Sequence, residues 1–557
     1  VTLPSIPDNL SIPQFFLDSP VHRDPTLPWF IEDATGTTIA LPEVRGRTAS
    51  LANALNSQYG IGYDDVVLIF SRNHIDYPIA IWATHRLGAI VSGANPDYVR
   101  NELVYQLQAS KASLIFAHPE ARETALQAAK DAGIPDERII LFNVPGSSRT
   151  ELKTVNDLVH QGSRQPISFK EPRIDARTKL AFLSFSSGKP KGVAIPHVSV
   201  ITNVIQFHAH HKVGIDYTTR DEQRFRQGDV AIGVLPFYHI YGLVLNLHFM
   251  VYSGISVVVV PKFNFEEMLK SIVRHQINHL MLVPPQAVLL CKASTEVTPS
   301  FFAIFIPRTL AAPFCQELRP QCDKNNDVWH TVDPVLEEAV LFADLSVVIE
   351  KKRGTSGSAG KLMPGVKARI LKPDGTFAGY DEPGELIIYS PSNALQYFNN
   401  EQATKETFVD GWVKTGDEGK IDTNLELWIL DRIKEIMKVR GFQVAPAELE
   451  GCIHDHPDVS DVCVVGVPDD YSGEVPMAFV VPNQDAVNRM KNEPASIETI
   501  KASIAKHVAD NKVAYKRLAG GVEFVDVIPK NPSGKLLRRV LRDRAKELRS
   551  SKVKSKL

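Results

Sequence analysis

Cysteine is scarce in this chain. Five occur among 557 residues (Cys291, Cys315, Cys322, Cys452 and Cys463), and none falls in a CxxC pair, so neither a disulfide framework nor a zinc cage is indicated. A reducing compartment is the simpler expectation. An excess of either charge is also missing: 62 Lys and Arg face 64 Asp and Glu, for a formal net charge of -2. General nucleic-acid binders usually carry a basic excess to neutralise phosphates, so no nucleic-acid partner is expected. The GxxxxGK[ST] spacing of a Walker loop is absent, which disfavours P-loop kinases and ATPases. Long uninterrupted apolar runs are lacking as well. The most apolar stretch, Tyr241 to Pro261, is broken by Asn246, His248, Ser253 and Gly254. It reads as a buried helix followed by a strand, and no membrane span is expected. The first residues have no charged segment leading into an apolar one, so no secretory signal is read there.

What is present is core-building material. Hydrophobic residues make up 44% and charged residues 23%, the balance of an ordinary globular protein. The length exceeds the roughly 250 to 300 residues at which one core stops growing, so several domains are expected. From Asp65 onward, β-branched runs alternate with amphipathic stretches: VVLIF, IAIWATHRLGAIVSG, then ASLIFA. VAIGVLP, SVVVVP and HLMLVPP repeat the rhythm, which suits α/β layers with strands buried on both faces. After Gly365 the strands shorten (VKARIL, GELIIY, LELWIL) around turn pairs such as Asp374-Gly375 and suggest an all-β portion. From Ile433 to about Arg549 a compact α/β unit restarts with AELEGCIHDH, VCVVGVP and MAFVVP.

Two segments carry chemistry. In LSFSSGKPKGVAIPH an apolar strand runs into a turn containing Ser186, Ser187, Gly188, Lys191 and Gly192. Small residues there let backbone N–H groups approach phosphate oxygens, and Lys191 adds a compact cation. An ordinary solvent turn is the equal alternative for this segment taken alone. The second, Gly411 to Glu450, reads GWVKTGDEGKIDTNLELWILDRIKEIMKVRGFQVAPAELE. It resembles the adenylate-forming superfamily of acyl-CoA synthetases, 4-coumarate–CoA ligases, beetle luciferases and adenylation domains. The resemblance extends to GAIVSGANPDY, LPFYHIYGL, SAGKLMPG, YFNNEQATKETF and IPKNPSGKLLRR.

The resemblance implies an α/β fold: a large N-terminal domain (1–431) of two layered α/β subdomains and a β-barrel-like subdomain, then a small mobile α+β domain (432–550). It also implies a ligase using ATP, Mg2+ and CoA, which first makes an acyl- or aryl-adenylate from a carboxylic acid and then its CoA thioester. On that reading Asp417 accepts hydrogen bonds from the ribose hydroxyls and Arg432 sits beside ribose and phosphate. Lys434 is the hinge. Lys535 serves adenylation, Lys438 serves thioester formation, and Gly441 lines the pantetheine passage. His239 stands as a gate beside the carboxylate, Ala311, Ala312 and Pro313 lie near substrate and nucleotide, and Glu338 is associated with the metal. Without the resemblance, Asp417 and Arg432 read as a surface ion pair and the lysines as solvated charges. His208, His210 and His211 lack the spacing of a helical zinc motif and read as helix-end residues.

Three places depart from the family pattern. The phosphate turn lacks a Thr-Thr-Gly portion between Gly188 and Lys189. Leu310 replaces a glycine before Ala311. In DPVLEE, Pro334 and Glu337 replace a stacking Tyr and a phosphate-contacting Thr, and only Glu338 is retained. A degenerate member that binds acyl or nucleotide ligands without ligation is therefore an alternative, and a luciferase-like oxygenase a more remote one. At the end of the chain (551–557), Ser555, Lys556 and Leu557 match the peroxisomal targeting tripeptide, implying an import receptor as partner and a peroxisomal location. The basic helix-like stretch before it reads as a solvated tail.

Overall fold

A computed structural model describes residues 2–19, 24–147, 151–185, 191–220, 223–282, 286, 289–290, 358–432, 435–439, 442–469, 472–512, 514–530 and 536–554. Its largest sheet has seven strands in the spatial order Gln396–Tyr397, Gly192–Pro196, Leu180–Phe185, Ile90–Ala94, Val66–Phe70, Ala112–Ala117 and Ile139–Leu141. The last five are parallel, and the first two join antiparallel. In VVLIF every residue is buried, and successive side chains point to opposite faces. Val67 and Ile69 enter one core, while Val66, Leu68 and Phe70 enter another. Helices Arg100–Ser110 and Arg122–Ala132 cover the second core.

The first core is shared with a five-stranded sheet. Its order is His279–Leu280, Val230–Gly233, Ser256–Val259, Pro28–Glu32 and Thr38–Ala40, parallel except for the last pair. Between the two sheets lie helices Leu41–Tyr59, Tyr77–Arg86 and His197–His210, and the helical segment Gly242–Met250. Helix Phe265–Arg274 closes the far face, where Ile232 and Val258 meet Met268 and Ile272. The stretch Tyr241 to Pro261 is thus a buried helical segment and then a strand, as its interrupted hydropathy predicts. No helix among the described residues is long and apolar enough to cross a membrane.

An antiparallel sheet follows, built from Lys367–Leu371, Gly384–Tyr389, Trp412–Ile421, Phe408–Val409 and Leu427–Arg432. Ile370, Leu386, Ile388, Leu427 and Ile429 form its core. The C-terminal sheet comprises Phe442–Val444, Met437–Val439, Gly473–Pro482, Val459–Asp469 and Gly521–Phe524. Helices Pro446–His454 and Ser496–Asn511 pack on one face. On the other face Leu541 and Ala545 of helix Arg538–Lys554 meet Cys463, Val465 and Phe479. The basic C-terminal stretch is therefore no solvated tail at its start. Its first residue, Arg538, is buried, because its neighbours in the helix supply the apolar face that the sheet requires.

Candidate active site

Two neighbouring parallel strands of the seven-stranded sheet, Ile90–Ala94 and Leu180–Phe185, border one cleft; open α/β sheets usually bind ligands beside their strand ends. Phe182, Leu183 and Ser184 line it from the strand that leads into the phosphate turn. Facing them are Phe237, Tyr238, Ile240 and Leu243 from the segment around His239, and Tyr77 and Ile81 from the helix below. The fold therefore brings together the two motifs that the sequence separates by some fifty residues. The lining is apolar and aromatic. Burial pushes the Tyr77 phenol up, and burial together with the Asp97 charge does the same for Tyr238, so both remain neutral donors.

His239 sits in a tight turn between the strand Val230–Gly233 and the helical segment. Its N–H donates to Pro236 O (3.1 Å), its carbonyl accepts from Leu243 N–H (2.9 Å), and its Nδ1 accepts from Tyr241 N–H (3.3 Å). The last bond fixes the ring and leaves Nε2 as the other polar position of the imidazole. This turn is held from three sides. Asn73 Nδ2 donates to Leu235 O (2.8 Å) and Gly233 O (3.0 Å), and its Oδ1 accepts from Phe237 N–H (2.8 Å). A Cβ on Gly93 would lie 3.0 Å from Tyr238 Cα, and one on Gly242 would lie 2.3 Å from Pro236 O. The sequence marks none of these three as a positioning residue; a polar residue just past the buried run VVLIF is the signal available for Asn73.

At the described edge of the phosphate turn, Lys191 is exposed, and its ammonium stands 4.7 Å from the centre of the Tyr397 ring. Gly192 O accepts from Phe398 N–H (2.6 Å). A Cβ on Gly192 would meet the Phe185 ring at 3.0 Å, which explains the glycine there. Ser186, Ser187 and Gly188 lie outside the described residues, as do Leu310, Ala311, Ala312, Pro313, Pro334, Glu337 and Glu338.

Asp417 lies on the strand Trp412–Ile421, directly opposite Arg432 in the antiparallel register. It is 0% exposed, which overturns the surface ion pair as its reading. Its N–H donates to Thr415 Oγ1 (3.1 Å), and that hydroxyl donates to Leu386 O (2.8 Å). A carboxylate so enclosed is costly unless ligand or protein groups compensate. Burial also pushes the neighbouring Glu418 carboxyl up. Lys438 belongs to the strand Met437–Val439, paired with Gln443 across a hairpin. Lys434, Gly441, Lys535, Ser555, Lys556 and Leu557 lie outside the described residues.

Two buried charges frame the C-terminal unit. Arg538 donates through both terminal nitrogens to the Glu450 carboxylate, through Nε to Glu435 (2.7 Å) and through Nη1 to Val464 O (3.1 Å). Burial opposes the guanidinium charge, but the Glu450 carboxylate outweighs it. Among the described residues no group of three or more His, Cys, Asp or Glu is placed to hold a metal ion. His208 and His210 fall at the end of helix His197–His210, where His208 packs edge-on against Tyr252.

Comparison with known proteins agrees with this architecture. The family model for AMP-binding enzymes matches residues 18–398, and the AMP-binding enzyme C-terminal domain matches 448–535. The chain is 32% identical over 535 residues to 4-coumarate–CoA ligase 2 of Oryza sativa subsp. japonica, covering 93% of this chain and 90% of that protein. It is 30% identical over 575 residues to the acyl-CoA ligase easD of Emericella nidulans, covering 96% and 97%. Among solved structures, ATP-bound MatB from Rhodopseudomonas palustris superposes with a TM-score of 0.75 at 22% identity, covering 97% and 99% of the two chains. The chain belongs to the AMP-binding enzyme family, whose members form adenylates. With that, the expectation of an acid–thiol ligase, drawn from the Gly411 to Glu450 motif, holds.

Proposed function

We propose that the chain joins an apolar carboxylic acid to CoA at the expense of ATP. The observation that carries this is the apolar cleft in which the His239 turn meets the strand of the phosphate turn, in a chain similar over nearly its whole length to CoA ligases. A carboxylate is a poor electrophile because oxide would have to leave. Attack of its oxygen on the α-phosphorus of ATP expels pyrophosphate and gives a mixed anhydride; attack of the CoA sulfur on the acyl carbon then expels AMP.

The residues divide accordingly. Lys191 and the Ser and Gly residues before it are assigned to the phosphates, where negative charge must be offset. Asp417 offers a buried acceptor to two ribose hydroxyls, and Arg432, its cross-strand neighbour, lies beside ribose and phosphate. Tyr238, in the cleft wall, and His239, beside it in the turn, are assigned to the acid's carboxylate end. Lys535 supplies the cation for adenylation, and Lys438 replaces it in thioester formation after rotation about Lys434. Gly441 is assigned to the passage of the pantetheine arm. Ala311, Ala312 and Pro313 are assigned to substrate and nucleotide binding, and Glu338 would hold Mg2+, which would offset phosphate charge. Ser555, Lys556 and Leu557 support import into peroxisomes; a fluorescent fusion lacking Leu557 is expected to stay outside them.

Carboxylate-dependent exchange of labelled pyrophosphate into ATP tests the first half-reaction, and thioester formation tests the second. Exchange above background with an acid from a broad aryl and acyl panel is the expected result. Its absence in folded protein favours the non-ligating reading, which Leu310, Pro334 and Glu337 motivate.

A further inference from the structure

Asn73 is 4% exposed, lies outside every motif of the family resemblance, and uses its whole amide on one turn. The strand Val230–Gly233 ends, and the chain must reverse within a few residues to start the helical segment at Gly242. Pro236 has no N–H, so the turn cannot complete its own hydrogen bonding. Leu235 O and Phe237 N–H, on either side of Pro236, would be left facing the interior. Asn73 satisfies both, from a position more than 160 residues away in sequence.

The platform behind Asn73 is itself rigid. His74 Nε2–H donates to Asn143 O (2.9 Å), its Nδ1 accepts from Asp76 N–H (3.0 Å), and the Asp76 carboxylate pairs with Arg47. On the opposite side Gly93 admits Tyr238 so closely that a Cβ there would lie 3.0 Å from its Cα and would require the turn to give way. The turn is thus clamped between the ends of two parallel strands of the other sheet. What the clamp places is Phe237 and Tyr238, which line the acid cleft, and His239 beside them in the same turn.

We propose that Asn73 is the positioning residue of the acid-binding turn: its amide sets where Tyr238 and His239 stand, and through them how the acid is held. This rests on the acid–CoA ligase reading above. The three bonds of Asn73 all fall on the turn that carries the acid side of the cleft.

The test uses Asn73→Asp and Asn73→Ser in the full chain. Asn73→Asp keeps the acceptor for Phe237 N–H but turns a carboxylate oxygen toward Leu235 O and Gly233 O, where a donor is needed. Losing a buried donor of this kind is expected to raise KM for the acid about tenfold or more while KM for ATP stays within about twofold. Burial against two carbonyl oxygens is expected to raise the pKa of the new carboxyl, so lowering the pH from about 8 to about 6 returns a proton to part of its population and is expected to shrink the defect of Asn73→Asp but not that of Asn73→Ser. In the His239→Ala background the further effect of either variant is expected to fall, because two changes acting through one turn are not additive.

Wild-type thioester formation is measured first, and its absence counts against the ligase reading only. The clamp is then judged by hydrogen exchange: amides of residues 233–243 are expected to exchange about tenfold faster in both variants, with the strand Val66–Phe70 unchanged. Equal rises in both KM values, additivity with His239→Ala, unchanged exchange at 233–243, or failure of both variants to fold would each overturn the proposal. The last outcome would make Asn73 a determinant of the fold.

Discussion

Replacing Arg538 by Leu removes the centre of a buried charge network and leaves its partners in place. The side chains of Arg538 and Glu450 are 7% and 0% exposed. Glu450 Oε1 also accepts from Val464 N–H (2.6 Å), so the carboxylate cannot swing out to water without breaking the strand Val459–Asp469 away from helix Pro446–His454. Breaking a buried pair on one side typically costs about 3–5 kcal/mol, since an uncompensated charge stays behind. Whole domains are stable by only about 5–15 kcal/mol. For a unit near this size each kcal/mol moves the midpoint by about 4 °C, so the transition of the C-terminal unit is expected to fall by roughly 10 to 20 °C. Differential scanning calorimetry of the full chain, with limited proteolysis to identify which unit opens first, measures this. Pairing Arg538→Leu with Glu450→Leu removes both charges and is expected to restore much of the loss, because an apolar pair needs no desolvation. A single variant that melts within about 2 °C of the wild type, or a double variant no better than the single, would refute the reasoning.

Stability is also expected to fall in mild acid. Burial lowers the imidazole of His85 to about 3 and that of His248 to about 4, and holds His197 well below its usual range. All three fold as neutral rings, while the unfolded chain binds their protons near pH ~6.5. Stability is therefore fully present above that pH and is lost as pH falls toward 4, at up to about 1.4 kcal/mol per pH unit for each ring. Thermal midpoints measured across this window check it; His85→Gln, which does not titrate, is expected to flatten the slope, and a flat wild-type profile would contradict the assignment. Gly242→Ala places a methyl against the carbonyl of Pro236, backbone that cannot swing aside, and is expected to cost about 1–3 kcal/mol and to impair use of the acid. Asp417→Asn removes a buried charge and is expected to raise KM for ATP by about 10-fold to 100-fold without lowering the melting temperature. A large loss of stability with unchanged KM would make Asp417 a structural partner of Arg432 instead.

Layering was legible because burial writes itself into periodicity. VVLIF, SVVV and ASLIFA are apolar or nearly so along their length, and each is a strand packed on both faces. Polar contacts across the fold leave no such trace. Asn73 and Phe237 are 164 residues apart, Arg538 and Glu450 88 apart, and no local pattern announces either pair. Asp417 reads as a surface carboxylate in a strand of alternating polarity, GWVKTGDEGK, and only the register with Leu427–Arg432 shows that it is enclosed. The same holds at LRRVLRDRAKELRSSK, which reads as solvated and is buried along one side. Its charge density conceals Leu541 and Ala545, a narrow apolar stripe sufficient to close one face of a sheet. Candidate site residues were legible where a motif surrounds them; the residues that fix their positions were not.

The two-residue strand Gln396–Tyr397, which borders the phosphate turn through Gly192–Pro196, has a consequence for how the chain is made. A ribosome delivers the apolar strand GVAIP some two hundred residues before the segment that caps it. Throughout that interval the sheet has an open edge, with unsatisfied backbone groups of the kind that recruit other strands. Synthesis that stalls or terminates before Tyr397 should therefore release a sticky intermediate rather than an autonomous domain. The phosphate turn is finished from its far side, and late.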